Sequence, residues 1–173
     1  LCGMPSANCV FAPAETQWFG AKRFGNGLLS RPPLMAWQRI PLPRRYDRSC
    51  RNMVVAQIDA APGPISVLVT HITRSDDRER EIQLDEVLDL FVALDPPAIL
   101  LADLNTPPGD ARMNRFLDET DALDAITDGG VPGSDRVDWI LTRGLECLSS
   151  KRVDTDASDH PLFTAILVAP SGP

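Results

Sequence analysis

Apolar and polar positions alternate through much of this chain, and in one stretch the spacing lengthens to that of a helix. Met53 to Ala60 and Ile65 to Thr70 are short apolar runs separated by Pro62-Gly63, which predicts two strands joined by a turn. In the second run Ile65, Val67 and Val69 share one face at period two. Leu84, Val87, Leu88, Phe91 and Leu94 then recur three and four residues apart, predicting a helix from Asp77 to Leu94. Asp76, with Glu79 three residues on, supplies a capping arrangement, and Asp95-Pro96-Pro97 ends the helix. Ala98 to Ala102 is a continuous apolar run and reads as a buried strand.

The flanks are more broken. Asn8 to Ala12 and Gly27 to Ser30 read as strands, whereas the prolines and arginines between Arg31 and Arg51 predict an irregular connection. Met113 to Leu117 suggests a short helix, and Val137 to Thr142, Leu145 to Val153 and Leu162 to Val168 read as three closing strands. The sum is seven or eight strands with two helices, a mixed α/β pattern. The strand, helix and strand between Ile65 and Ala102 fit a crossover within one sheet.

Composition narrows the picture modestly. With 173 residues, 43% of them hydrophobic, the chain has the size and apolar content of one globular domain, and intrinsic disorder is excluded. No apolar run approaches the ~18 residues of a membrane-spanning helix. The net charge of −7 works against broad coating of nucleic acid, leaving Arg44, Arg45, Arg48 and Arg51 as the one basic cluster. Cys2, Cys9, Cys50 and Cys147 form no C-x-x-C pair, so reduced, mostly buried thiols are expected rather than a zinc site.

The chemistry lies where strands stop being apolar. His71 continues the face of Ile65, Val67 and Val69, and Asp103 continues that of Ile99 and Leu101. Asn105 falls on the same side if the chain stays extended. Asp138 sits inside Val137-Asp138-Trp139-Ile140-Leu141, and Asp159-His160 immediately precede the last strand. Taken singly, Asp103 to Pro107 could be a turn, Ser158-Asp159 a turn cap and His71 a structural histidine. Asp138 resists that treatment, because a carboxylate in an apolar strand needs a hydrogen-bond donor. Other motifs fail: Ile99 to Asp103 resembles a Walker B strand without a phosphate-binding loop, Gly25-Asn26-Gly27 lacks a third glycine, and no G-x-S-x-G elbow occurs.

Five stretches, in order, carry a family resemblance. Gly25-Asn26-Gly27-Leu28-Leu29-Ser30-Arg31, Val69-Thr70-His71-Ile72, Ala102-Asp103-Leu104-Asn105, Val137-Asp138-Trp139-Ile140 and Ser158-Asp159-His160-Pro161 resemble motifs of the endonuclease/exonuclease/phosphatase superfamily. The resemblance implies an α/β four-layer sandwich of two mixed β-sheets flanked by helices, as in the DNase I-like enzymes. It also implies a phosphoesterase that uses Mg²⁺, with Mn²⁺ as an alternative, to direct in-line attack of water on a phosphate ester. Asp103 would orient or deprotonate that water and Asn105 would contact the phosphate. His160, oriented by Asp138, would stand beside the scissile phosphate; Asp159 would be at or near the metal, and His71 would contact the phosphate or assist the leaving group. Arg51 would reach substrate. For the general base, Asp103 ranks before the His160–Asp138 pair. The substrate would be nucleic acid, phospholipid or inositol phosphate, with no stable protein partner implied.

The family's opening strand with its asparagine, and the Leu-Gln-Glu segment that supplies the main metal ligand, have no counterpart upstream of Gly25. Glu15 lacks that context. Residues 1–173 are therefore expected to form a single domain, the C-terminal two-thirds of a catalytic domain, less stable and much less active than the whole. The competing reading is a non-catalytic binding or scaffold domain of the same fold, without the metal-ligand glutamate.

Overall fold

The computed structural model describes residues 7–14, 24–44, 50–61, 63–133 and 135–170. In chain order the elements are β1 (Asn8–Pro13), β2 (Gly25–Ser30), β3 (Leu34–Pro41), β4 (Asn52–Ala60) and β5 (Gly63–His71). Then come α1 (Asp77–Ala93), β6 (Ala98–Asp103), α2 (Ala111–Glu119), β7 (Leu123–Asp124) and α3 (Ala125–Asp128), and finally β8 (Asp138–Arg143), β9 (Glu146–Val153) and β10 (Leu162–Val168). Six strands make the central sheet, in the order β3-β4-β5-β6-β8-β7. Its only parallel pair among the described residues is β5–β6, joined by α1 as the crossover, so the sheet is mixed.

Period two divides this sheet into two differently covered faces. Met53, Leu68, Leu100, Trp139 and Leu141 point towards α1 and α2 and pack with Leu84, Val87, Leu88, Phe91 and Met113 into the largest core cluster. The α1 stripe predicted from its spacing is thus the buried face of the helix. Asp76 Oδ1 accepts the Glu79 N–H at 2.7 Å, as the capping pattern implies. No basic residue lies in the last turn of α1; Arg143 of β8 takes that place, donating to the carbonyls of Phe91, Val92 and Leu94.

The opposite face carries two antiparallel ribbons, β1–β2 and β9–β10. Val10 and Ala12 of β1 pack on Val54, and Leu28 of β2 packs on Ala56 and Val67. Phe163, Ala165 and Leu167 of β10 pack over Ile140, Ala125 and Ile126. Between β2 and β10 an apolar cleft of about 350 Å³ opens onto Val67, Ile99 and Leu101, and no described strand spans it. Gly25 is needed inside the first ribbon, where β2 passes β1: a Cβ there would lie 2.3 Å from the Ala12 carbonyl oxygen. Asn26 donates to the Asn52 carbonyl at 2.7 Å, tying β2 to β4.

The mixed α/β class is as expected, with two corrections in detail. The stretch expected to be irregular between Arg31 and Arg51 contains β3, an eight-residue strand paired with β4. Prolines 32, 33 and 41 lie just before or at the end of this edge strand, where a missing N–H costs little. Cys9 is disulfide-bonded, against the expectation of reduced thiols, while Cys50 and Cys147 are free. Cys2, Glu15, Arg45, Arg48 and Pro62 lie outside the described residues.

Candidate active site

Three adjacent strands of the central sheet end abreast. His71 closes β5, Asp103 closes β6 and Asp138 opens β8, and the register sets His71 opposite Asp103 and Asp103 opposite Asp138. All three point to the ribbon face by the alternation of their strands. The loop before β10 brings His160 over them from the side. A cleft of about 510 Å³ results, and it gathers every residue singled out from the sequence: Arg51, His71, Asp103, Asn105, Asp138, Asp159 and His160.

The side chains pair off. His160 Nδ1 lies 2.8 Å from Asp138 Oδ2, so the lone carboxylate of an apolar strand has its hydrogen-bond partner. That hydrogen bond, more than any other influence, raises the His160 pKa above the ordinary histidine value, and the Asp138 charge acts the same way. His71 Nε2 lies 3.2 Å from Asp103 Oδ2, yet its pKa moves the other way. Burial disfavours its cation most, and the nearby Arg51 charge adds to this. The two histidines of one cleft are therefore biased in opposite directions, His160 towards its cation and His71 towards its neutral form.

Asn105 occupies a left-handed backbone conformation, φ +46°, which asparagine tolerates better than most residues. Its N–H donates to Asp103 Oδ1 at 3.0 Å and its side-chain NH₂ donates to the Ile72 carbonyl at 2.9 Å, binding the β6 exit to the β5 exit. This makes it the structural pin of the loop as well as a wall of the cleft. Asp159 sits at the exposed rim.

Arg51 stands apart from the pairs. Its Nε and Nη1 are buried without a hydrogen-bond partner, and its guanidinium lies 4.7 Å from the Phe24 ring centroid. Phe24 in turn meets His71 edge-on at 5.8 Å. Burial is the main influence lowering the Arg51 pKa, and the nearby Asp103 charge opposes it. Arg74 also lines the cleft. It was not singled out from the sequence, where one arginine in the polar stretch after His71 carries no signal.

Asp103, Asp138 and His160 each offer one ligand atom, and these atoms lie within 4.8 Å of one another. The two carboxylates are hard oxygen donors of the kind a divalent cation takes in small number, alongside water. The imidazole suits such a cation less, and its Nδ1 is already engaged by Asp138.

Comparison with known proteins bears on the fold and the family. No curated protein matches the chain. Among solved structures, an endonuclease/exonuclease/phosphatase from Bacteroides vulgatus superposes with a TM-score of 0.73 at 14% identity, over 95% of this chain and 77% of that one. TDP2 of D. rerio, complexed with a single-strand DNA product, gives 0.71 at 16% identity over 95% and 78%. The mannosyl-6-phosphatase of Bacteroides thetaiotaomicron gives 0.69 at 12% identity over 95% and 78%. At these identities the likeness is one of fold. The model of the Endonuclease/Exonuclease/phosphatase family, however, matches residues 7–160, from the first ribbon to the cleft histidine, and the chain belongs to that family.

Proposed function

We propose that this domain is a Mg²⁺-dependent phosphoesterase that hydrolyses a phosphodiester or phosphomonoester by in-line attack of water. One observation carries the reading: a single cleft holds two carboxylate–histidine pairs, with the histidine pKa values shifted in opposite directions, beside an arginine whose buried Nε and Nη1 have no hydrogen-bond partner. Asp159 at the rim, with Asp138 of the carboxylate–histidine cluster, would hold the cation, Mg²⁺ or Mn²⁺. When bound, it would offset the negative charge that makes a phosphate ester repel its nucleophile.

The chain's own residues then divide the work. Asp103, fixed by its partners at the end of β6, aligns water and accepts its proton, with the His160–Asp138 pair as the second-ranked base. A protonated His160 stabilises charge developing on a non-bridging oxygen. Arg51, which lines the same cleft, receives the phosphate. Asn105 has a second side-chain N–H beyond the one given to Ile72, and contributes it to the same group. His71, neutral because of burial and Arg51, assists at the leaving group.

The test is a substrate panel: single-stranded DNA, RNA, sphingomyelin, a phosphoinositide and a sugar phosphate, each with Mg²⁺, with Mn²⁺ and with chelator. Turnover of at least one substrate, abolished by chelator and by His160→Ala with an unchanged circular dichroism spectrum, is the expected result. Tight binding without turnover would instead establish a scaffold domain.

A further inference from the structure

Arg136 lies in the turn before β8 and does not line the catalytic cleft. Its side chain is 1% exposed, an unusual place for a guanidinium; Nε has no hydrogen-bond partner, and the contacts are made by the two Nη atoms. Nη1 donates to the carbonyl oxygen of Asp138 at 2.7 Å. Nη2 donates to Asp124 Oδ2 and to Thr127 Oγ1, the latter at 3.2 Å. The plane of the group lies over the Trp139 ring, 4.3 Å from its centroid. Asp124 is itself held, since its carboxylate caps α3 by accepting the Ile126 N–H and the Thr127 hydroxyl.

These contacts converge on one stretch of main chain. A purely structural arginine could take any free carbonyl; this one takes that of the residue whose carboxylate holds His160. Its charged centre lies against the ring of the very next residue, Trp139. Trp139 extends the clamp, because its Nε1 donates to the Thr106 carbonyl at 2.8 Å, just past Asp103 and Asn105. Leu104 N–H donates to the Val137 carbonyl alongside, at 3.0 Å. The two strand ends that carry the carboxylates are thus tied together behind the cleft, with Arg136 at the knot.

We propose that Arg136 is a positioning residue: by tying the Asp138 carbonyl to Asp124 and Thr127, it holds the Asp138 carboxylate within hydrogen-bonding distance of His160 and so fixes the orientation of that imidazole. The hydrogen-bond claim stands on geometry alone. Its effect on turnover rests on the phosphoesterase reading, and the experiment separates the two.

The first arm needs no substrate. Ring ¹⁵N and ¹H signals of His160 in the labelled protein, assigned against a His71→Gln control, report whether Nδ1 carries a proton shared with a carboxylate. The expected result is a single Nδ1-protonated form in the wild type and loss of its downfield hydrogen-bonded proton in Arg136→Met. Arg136→Lys falls between, since a lysine retains the charge beside Asp124 but has neither the second arm for the Asp138 carbonyl nor a plane for Trp139. Should Arg136→Met not fold, Arg136→Lys and Thr127→Val give the same reading. A folded variant series with wild-type ring signals throughout overturns the proposal.

The second arm uses a substrate found in the panel. Arg136→Lys should lower kcat about 10- to 100-fold with KM within about twofold, the range seen when the support of a catalytic group is removed. In an Asp138→Asn background the same change should cost no more than about twofold, because the carboxylate it serves is gone. An equal cost in both backgrounds overturns the proposal. Absence of turnover in the wild type counts against the phosphoesterase reading and leaves the spectroscopic arm to decide on Arg136.

Discussion

The two faces of the central sheet are built to different standards. On one, α1 and α2 seal a continuous apolar layer in which Leu68, Phe91, Leu100 and Met113 have no exposure at all. On the other, two narrow ribbons cover the sheet unevenly, with an apolar cleft between them and Leu148, Leu162 and Ile166 more than half exposed. The functional groups project from the loosely covered face, yet their strands are anchored from the sealed one. The proposed chemistry would need both an open approach for substrate and strand ends that do not move, and the sheet supplies each from a different side.

Substitutions within the cleft should give the largest effects. Asp103→Asn and His160→Ala are each expected to lower kcat/KM by about 10³-fold or more, with the thermal midpoint barely changed, as for loss of a positioned acid or base. Asp103 stands on the sheet and His160 on the ribbon side. A cleft in which only one of them mattered would break the idea that both faces contribute.

Next comes pH. In the proposed mechanism His71 acts neutral, so activity should fall as pH drops through its value, which burial and Arg51 place below the ordinary ~6.5. His160 acts as the cation, so activity should fall as pH rises through its value, which the Asp138 hydrogen bond places above that figure. The profile of kcat/KM should therefore be a bell straddling the ordinary histidine value. His160→Gln should leave residual activity without the alkaline limb, and an alkaline limb that survives in this variant would assign it to another group.

Stability measurements probe the scaffold directly. Phe91→Ala, on the sealed face, should cost about 3–5 kcal/mol in urea unfolding. Ile166→Ala, on the ribbon, should stay within about 0.5 kcal/mol. Similar losses at both positions would mean that the ribbon is as well packed as the helix face. Smaller than the Phe91 effect is the expected cost of Gly144→Ala, about 1–2 kcal/mol. Gly144 has φ +67°, and a Cβ would meet Pro96 at 2.9 Å.

The sequence was most legible where burial is strongest. The helical stripe of α1 and the period-two runs of β4, β5 and β6 follow directly from what they must bury, and the same alternation placed His71 and Asp103 on one face. Asp138 was readable as an anomaly that demanded a partner, and the structure gives it His160. What escaped was written in contacts rather than pattern. β3 is an edge strand whose Met35 and Trp37 stay exposed, so it has no clean apolar alternation, and its flanking prolines argue for a loop. The four residues of α3 are too few to show a period. Arg136 looks in sequence like any charged turn residue, since nothing local announces that Trp139 and Asp124 will enclose it. Arg74 is hidden in the same way.

The parallel pairing of β5 with β6 bears on how the cleft comes into being. A hairpin can form its ladder from neighbouring residues, but these two strands cannot pair until the whole crossover through α1 has been closed, at a cost in chain entropy that no earlier contact repays. His71 and Asp103 meet only through that pairing. Hydrogen exchange pulsed during refolding should accordingly protect the β4–β5 hairpin before the amides of β6, and ligand binding should appear with the later phase. In this chain the capacity to bind would arise only after long-range contacts of the sheet have formed, so a refolding intermediate holding the hairpin alone would have strand structure and no site.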